Sequence, residues 1–407
     1  MDHMILKYKY MLIILIACCF NLQNLAHYYC QFITLWVIRL AMALDLLMVT
    51  SIYPPQVGGP AIFTSRFSNW LDSQNISNRV ITYSQVYSKQ KPSITEVKLS
   101  SVRIYSFFKF VYKIITKTNR KSLILANGAF IETYLASLLT RREYIVKIPG
   151  DPVWEFSRNR KWTNSSREDF QAEKLNFRQS LLRFLFNKAF CGAKYVICPS
   201  QELVNFVSTW KVSDERIKLI YNCVNPINFA NTNSGEKKYN LVTVSRLVNG
   251  KGIKEVIECA GELGLKLAVV GDGPLMTDLK SLAATYKTEI VFLGDVKNED
   301  VPQILSESEL FILNSESEAT SYAIIEAKMC GLPVLTRMNS GSLTIVRHAI
   351  DGLIYSSEPG DKLIDSLRKV KSNSNLVTEF GNNGREDALV RFNEEKNFAT
   401  ILSLFTN

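Results

Sequence analysis

The 407-residue chain is too long for one ordinary hydrophobic core and suits two domains of roughly 150 to 200 residues each. Its 47% hydrophobic and 21% charged residues, with no long low-complexity tract, exclude a disordered chain. The net charge of +10 implies attraction to phosphorylated substrates or an anionic membrane surface, while scattered basic residues and the absence of any nucleic-acid-binding signature argue against nucleic acid.

In chain order, residues 10–20 are apolar, and a second apolar run at 30–44 carries Arg39. Neither reaches the roughly 18 uninterrupted apolar residues of a spanning helix. Lys7 and Lys9 before the first run resemble a signal peptide, but no small-x-small cleavage site follows. Two readings stay open for residues 1–43: a hydrophobic membrane anchor, or an upstream extension before a second start at Met42.

From residue 44 the chain alternates short β-branched runs with longer helical patterns, which predicts parallel sheets covered by helices on both faces. Strands are expected at 45–52, 122–126, 144–148 and 195–198, with helices such as 130–139 and 200–209, all in a first doubly wound α/β domain over 44–225. An Asn-, Gly- and Lys-rich stretch interrupts the alternation and predicts a linker at 226–240. A second Rossmann-like domain, 241–391, is expected to hold strands at 241–244, 267–270, 290–293, 310–313 and 333–336. Its helices should start near 253, 274, 299 and 320. The last segment, 392–407, contains a helix expected to cross back to the first domain.

Eight cysteines, Cys18, Cys19, Cys30, Cys191, Cys198, Cys223, Cys259 and Cys330, form neither a CxxC pair nor a disulfide-like spacing, which suits free thiols in a reducing cytosol. The three histidines, His3, His27 and His348, show no metal-ligand spacing, so no metal site and no cofactor is expected.

Two segments carry chemistry. The strand ending at Val244 runs into SRLVNGKGI, placing Arg246 and Lys251 on the loop before a helix, where open α/β sheets bind ligands; two cations and helix amides suit a diphosphate. Further on, NSESEATSYAIIEAKMCGLPVL puts Glu318 on a loop after a strand and Glu326 within the following helix. Thr320 and Ser321 stand at the helix start, where amides face an anion, while a mid-helix carboxylate can face vicinal hydroxyls.

From about Leu44 onward, the ordered set of motifs resembles family 4 of the retaining glycosyltransferases (glycosyl transferases group 1), which have the GT-B fold of two Rossmann-like domains facing a cleft. The set comprises YPPQVGG at 53–59, VKIPGDPVWE at 146–155, CPSQELVNFV, IYNCVN, the Arg246 and Lys251 pair, VVGDGP at 269–274, FLGDV at 292–296 and the two glutamates. The resemblance implies a hexosyltransferase that takes a nucleotide-sugar donor and a lipid-linked or saccharide acceptor in cell-envelope polysaccharide, lipopolysaccharide or glycolipid synthesis. It would work in the cytoplasm, at the cytoplasmic face of the membrane.

The same resemblance implies roles for particular residues. Arg246 and Lys251 would hold the diphosphate, Glu326 the ribose hydroxyls and Glu318 the transferred sugar. Amides near Thr320, Ser321 and Tyr322 would face the donor, Val296 would meet the base, and Gly58 and Gly59 would let the backbone approach phosphate or acceptor. The chain departs from the family where a histidine is common, offering Gly150 and Asp151, so a catalytic part would pass to Asp151. It also has Ala319 after the first motif glutamate, and Thr344 where a glutamate is frequent.

Rival readings are a nucleotide-sugar epimerase of the same build, a non-catalytic sugar-binding protein, and a dinucleotide oxidoreductase, for which GDGP lacks the third glycine.

Overall fold

The computed structural model describes residues 44–406, apart from 57, 85–91, 166 and 230–236. The two readings of residues 1–43, and the middle of the expected linker, lie outside the described residues.

The chain forms two wholly parallel sheets. The first contains β1 Asp45–Thr50, β2 Ser77–Ser84, β3 Ile94–Lys98, β4 Ser122–Asn127, β5 Tyr144–Lys147, β6 Tyr195–Cys198 and β7 Ile217–Leu219, in the order β3-β2-β1-β4-β5-β6-β7. Between them run α1 Gly59–Ser73, α2 Arg103–Lys117, α3 Phe130–Thr140, α4 Pro152–Asn159, α5 Arg167–Ala172, α6 Phe177–Cys191 and α7 Gln201–Ser208.

The central strands read as unbroken apolar runs because both their faces are covered. In β1, Leu46 and Met48 join a core with Phe63 and Phe67 of α1. Leu47 and Val49 point the other way, into a core with Phe110 of α2 and Phe190 of α6.

The second sheet contains β8 Tyr239–Val244, β9 Leu267–Val270, β10 Ile290–Gly294, β11 Ser308–Leu313, β12 Val334–Arg337 and β13 Gly352–Tyr355, in the order β10-β9-β8-β11-β12-β13. It carries α8 Ile253–Glu262, α9 Met276–Ala283, α10 Val301–Ser306, α11 Tyr322–Met329, α12 Ser340–Ile345, α13 Leu363–Lys371 and α14 Ser374–Arg391. In each sheet the strand order reverses beside the first strand, at β1/β4 and at β8/β11, and ligands settle at the carboxyl ends of strands at such points.

The chain crosses between the sheets twice at one place. Val224 donates to Phe392 O at 3.0 Å, and Glu394 N donates to Val224 O at 3.1 Å. After Phe392, α15 Glu394–Thr406 packs on α1 of the first domain: the Phe398 ring lies 4.9 Å from Phe67 and 5.8 Å from both Phe63 and Trp70. Burying Phe398 there contributes about 2 kcal/mol, which holds the C-terminus on the N-terminal domain.

Candidate active site

The loop after β8 is shaped by glycines. Gly250 and Gly252 have positive φ, and a Cβ on Gly252 would lie 2.3 Å from Asn314 Nδ2, so the turn before α8 passes tightly over the end of β11. Asn314 fixes this approach by donating to Gly252 O at 2.9 Å and to Glu255 Oε2 at 2.7 Å. Gly271, at φ 126, lies against the same loop: a Cβ there would sit 1.9 Å from Ser245 O.

These turns open a cavity of about 290 Å³ at the carboxyl ends of β8, β9 and β10, lined by Arg246, Gly271, Asp272, Asp295, Val296 and Glu326 among others. Larger cavities lie elsewhere, among them one over α2 and α4, one between α13 and β11 and one beside Asp151, but none of these three gathers Arg246, Val296 or Glu326. Three of the residues singled out in the sequence, Arg246, Val296 and Glu326, thus meet around one space although 80 positions separate the first from the last.

The other motif residues lie beside the β8/β11 switch point. Lys251 Nζ is ion-paired with Glu318, both side chains being less than one-fifth exposed. The Glu318 carbonyl accepts from Gly341 N at 3.0 Å and Ser340 Oγ at 3.3 Å, so the start of α12 anchors the loop that carries the carboxylate. A Cβ on Gly341 would come within 2.6 Å of that carbonyl. The Thr344 hydroxyl donates back to Ser340 O at 2.9 Å within α12, and its carbonyl accepts from Arg391 Nη1 at 2.9 Å. Ser321 caps α11 through Ile324 N, which starts that helix at Tyr322 and leaves Thr320 just ahead of it. The buried hydroxyls of Thr243, Ser315 and Thr320 have no hydrogen-bond partner among the described residues. Unpaired buried hydroxyls are costly, and these stand at or beside the carboxyl ends of β8 and β11, where a polar ligand would satisfy them.

Glu326 is held from the opposite domain. Arg66 of α1 donates to its Oε1 at 2.9 Å, donates to Cys223 O at 3.4 Å, and stacks 5.2 Å from the Tyr322 ring centroid. Burial pushes the Glu326 carboxyl above the usual range, and Arg66 pulls it back. Both motif glutamates are therefore paired with cations, each through its Oε1.

In the N-terminal domain, Gly58 precedes α1, and a Cβ there would meet Ile52 Cδ1 at 2.7 Å. A Cβ on Gly59 would meet nothing within 4 Å.

Asp151, for which a catalytic part is expected, lines a separate cavity of about 420 Å³ with Arg167 and Glu202. Its carboxylate is buried as the cap of α4, accepting from Val153 N at 2.9 Å, Trp154 N at 3.2 Å and Gln171 Nε2 at 2.7 Å. One turn on, Glu155 keeps contact with solvent while the surrounding protein mass, and then Asp151, push its carboxyl up to about 7; Arg167 opposes this. Sequence reasoning missed both Glu155 and Arg66. Arg66 had no local signal, because its partner lies 260 positions away.

Residues 224–387 match the family model described as glycosyl transferases group 1, a segment that contains Arg246, Lys251, Val296, Glu318 and Glu326. An uncharacterized glycosyltransferase of Methanocaldococcus jannaschii is 25% identical over 218 residues, 48% of this chain and 56% of that protein. The UDP-Gal:alpha-D-GlcNAc-diphosphoundecaprenol alpha-1,3-galactosyltransferase of Escherichia coli is 31% identical over 140 residues, 34% of this chain and 35% of that one. The chain thus spans about half or less of the length of these curated relatives.

The crystal structure of Anabaena Alr3699/HepE in complex with UDP and glucose superposes with a TM-score of 0.70 at 18% identity, covering 89% of this chain and 99% of that one. The fold is GT-B. The relatives and the fold are those of glycosyltransferases, and the GT-B cleft is the space between the two sheets that Arg66 and Glu326 bridge.

Proposed function

We propose that this chain is a retaining glycosyltransferase of the family 4 kind, transferring a hexose from a nucleoside diphosphate sugar to a lipid-linked or saccharide acceptor in cell-envelope polysaccharide, lipopolysaccharide or glycolipid synthesis. The observation that carries the reading is the meeting of Arg246, Val296 and Glu326 around one cavity beside the Lys251–Glu318 pair, at the carboxyl ends of the second sheet. A cation, an apolar main-chain edge and a carboxylate around one space suit a diphosphate, a base and a ribose in that order.

In this reading Arg246 and Lys251 neutralise charge as the diphosphate leaves, contributing several kcal/mol at a preorganised site and taking the place of a divalent ion. Glu318, released from Lys251, bonds the sugar; Glu326, released from Arg66, bonds the ribose; the amides from Thr320 to Tyr322 face the donor; and Gly58 and Gly59 give the acceptor side a backbone that can approach closely. With no protein nucleophile assigned, the acceptor hydroxyl attacks from the face that the diphosphate leaves and passes its proton to the phosphate. Similarity to a relative whose name includes diphosphoundecaprenol supports a lipid-linked acceptor, and in this reading the enzyme meets it at the cytoplasmic face of a membrane.

The test is a panel of labelled nucleotide sugars, read by thermal shift and by slow donor hydrolysis, with and without EDTA. Stabilisation by at least one donor and a hydrolysis rate unchanged by EDTA are expected. No stabilisation by any donor would overturn the reading, and a rate that collapses with EDTA and returns with magnesium would overturn its metal-free form.

A further inference from the structure

We propose that the outward faces of α2 and α6 dock the N-terminal domain onto an anionic lipid bilayer. The inference rests on the proposed action at a membrane and names the surface that would meet it. α2 is amphipathic: Phe110, Val111 and Ile114 enter the core, while Ile104, Phe108 and Tyr112, one turn apart, stand in solvent with Phe108 60% exposed. α6 repeats the pattern with Phe177, Leu181 and Phe184, Phe177 being 83% exposed. Between these helices packs α3, whose Leu138 and Leu139 are also exposed. Single exposed apolar side chains are ordinary, but a ridge of large ones across three adjoining helices marks a contact surface.

Charge selects the occupant. α2 carries Arg103, Lys109, Lys113 and Lys117, α6 carries Arg178, Arg183 and Lys188, and neither helix contains an aspartate or glutamate. Lys188 Nζ lies 5.5 Å from the Phe184 ring and Lys109 Nζ 6.0 Å from the Tyr105 ring, so cations flank the aromatics as they do at a headgroup layer. Exposed apolar side chains on two helices that carry cations and no carboxylate complement anionic headgroups over acyl chains, and Glu132 of the intervening α3 accepts from the Tyr83 hydroxyl at 2.8 Å. Ile104 and Phe108 also line a cavity of about 750 Å³ whose other walls include Ser51, just beyond β1, and Glu132. The docking face is thereby continuous with the strand-end side of the domain, where an acceptor carried in the bilayer would have to arrive.

The test is hydrogen–deuterium exchange on the full chain with phosphatidylcholine vesicles, with and without phosphatidylglycerol. Protection of α2 and α6, but not of α14, is expected only with the anionic vesicles and should fade at high salt. Ile104→Ser/Phe108→Ser/Tyr112→Ser should weaken vesicle partitioning by roughly tenfold or more. Lys109→Gln/Lys113→Gln/Lys117→Gln should weaken it on the order of a hundredfold. These positions lie outside the donor cavity, so UDP affinity by calorimetry should stay at the wild-type value and report an intact fold. Protection confined to residues 1–43, protection independent of lipid charge, or partitioning unchanged in both variants would overturn the inference. Lost docking with donor hydrolysis intact leaves the glycosyltransferase reading standing, whereas absent hydrolysis with docking intact removes that reading alone.

Discussion

Replacing Glu326 with alanine separates the two things its carboxylate is proposed to do. It pairs with Arg66 at 2.9 Å, with side-chain exposures of 23% for Arg66 and 14% for Glu326. In this reading a ribose takes the carboxylate by displacing that guanidinium. The affinity lost on substitution is therefore the worth of a charged hydrogen bond, roughly 1.5 to 3 kcal/mol, less the partly exposed ion pair already given up, roughly 0.5 to 1 kcal/mol. The balance, about 1 to 2 kcal/mol, corresponds to roughly five- to thirtyfold in the dissociation constant of UDP.

Stability should fall less than when a fully buried pair is broken, because Arg66 keeps its bond to Cys223 O at 3.4 Å and its place over Tyr322, and can turn to water; about 1 kcal/mol is expected. Calorimetric titration with UDP, alongside urea unfolding of the same preparations, measures both. A folded Glu326→Ala protein whose UDP affinity lies within about twofold of the wild type would refute the ribose assignment.

Glu318→Ala should act on turnover instead, lowering kcat by roughly tenfold to a hundredfold with UDP affinity little changed, because the sugar gains charge only in the transition state; an unchanged kcat would refute it. Gly271→Ala should destabilise the second domain by about 2 to 4 kcal/mol, since its φ is 126° and a Cβ would sit 1.9 Å from Ser245 O, and a melting temperature equal to wild type would contradict that close approach. Burial pushes the Glu394 carboxyl up to about 7, with Arg66 opposing and Glu395 assisting. Against an unfolded value near 4.5, the native state then holds a proton that the unfolded chain releases, so this stabilisation is full below about pH 4.5 and is lost as pH rises towards 7. Glu394→Gln should therefore match the wild type near pH 4.5 and exceed it by up to about 3 kcal/mol above pH 7. Urea midpoints that differ equally at both pH values would rule this out.

Much of the architecture is legible along the chain because parallel sheets bury both faces of their inner strands. Runs such as LLMV in β1 and LAVV in β9 have nowhere to alternate, and they mark inner strands directly. The edges are less legible. The pattern predicts the edge strand β10 but not the edges β3, β7 and β13, nor the inner strand β2, whose SNRVITYS breaks its apolar run with polar residues; β7 is three residues long with only Ile217 buried, and β3 buries only Val97.

The site divides along the same line. Arg246, Lys251, Glu318 and Glu326 could be picked out because strand ends and helix starts are local events, read from a few adjacent residues. Which charge faces which was decided only in three dimensions. The Arg66–Glu326 pair spans 260 positions and the Lys251–Glu318 pair spans 67, and no periodicity connects residues on different elements. Asp151 shows the converse: what is expected of it comes from its place in a motif, and only the fold shows Gln171 and two amides turned onto its carboxylate as the cap of α4. Sequence alone determined the elements, because backbone conformation and burial pattern are written locally; the tertiary structure determined the pairing of charges, because a carboxylate's partner is whatever the fold brings within about 3 Å of it.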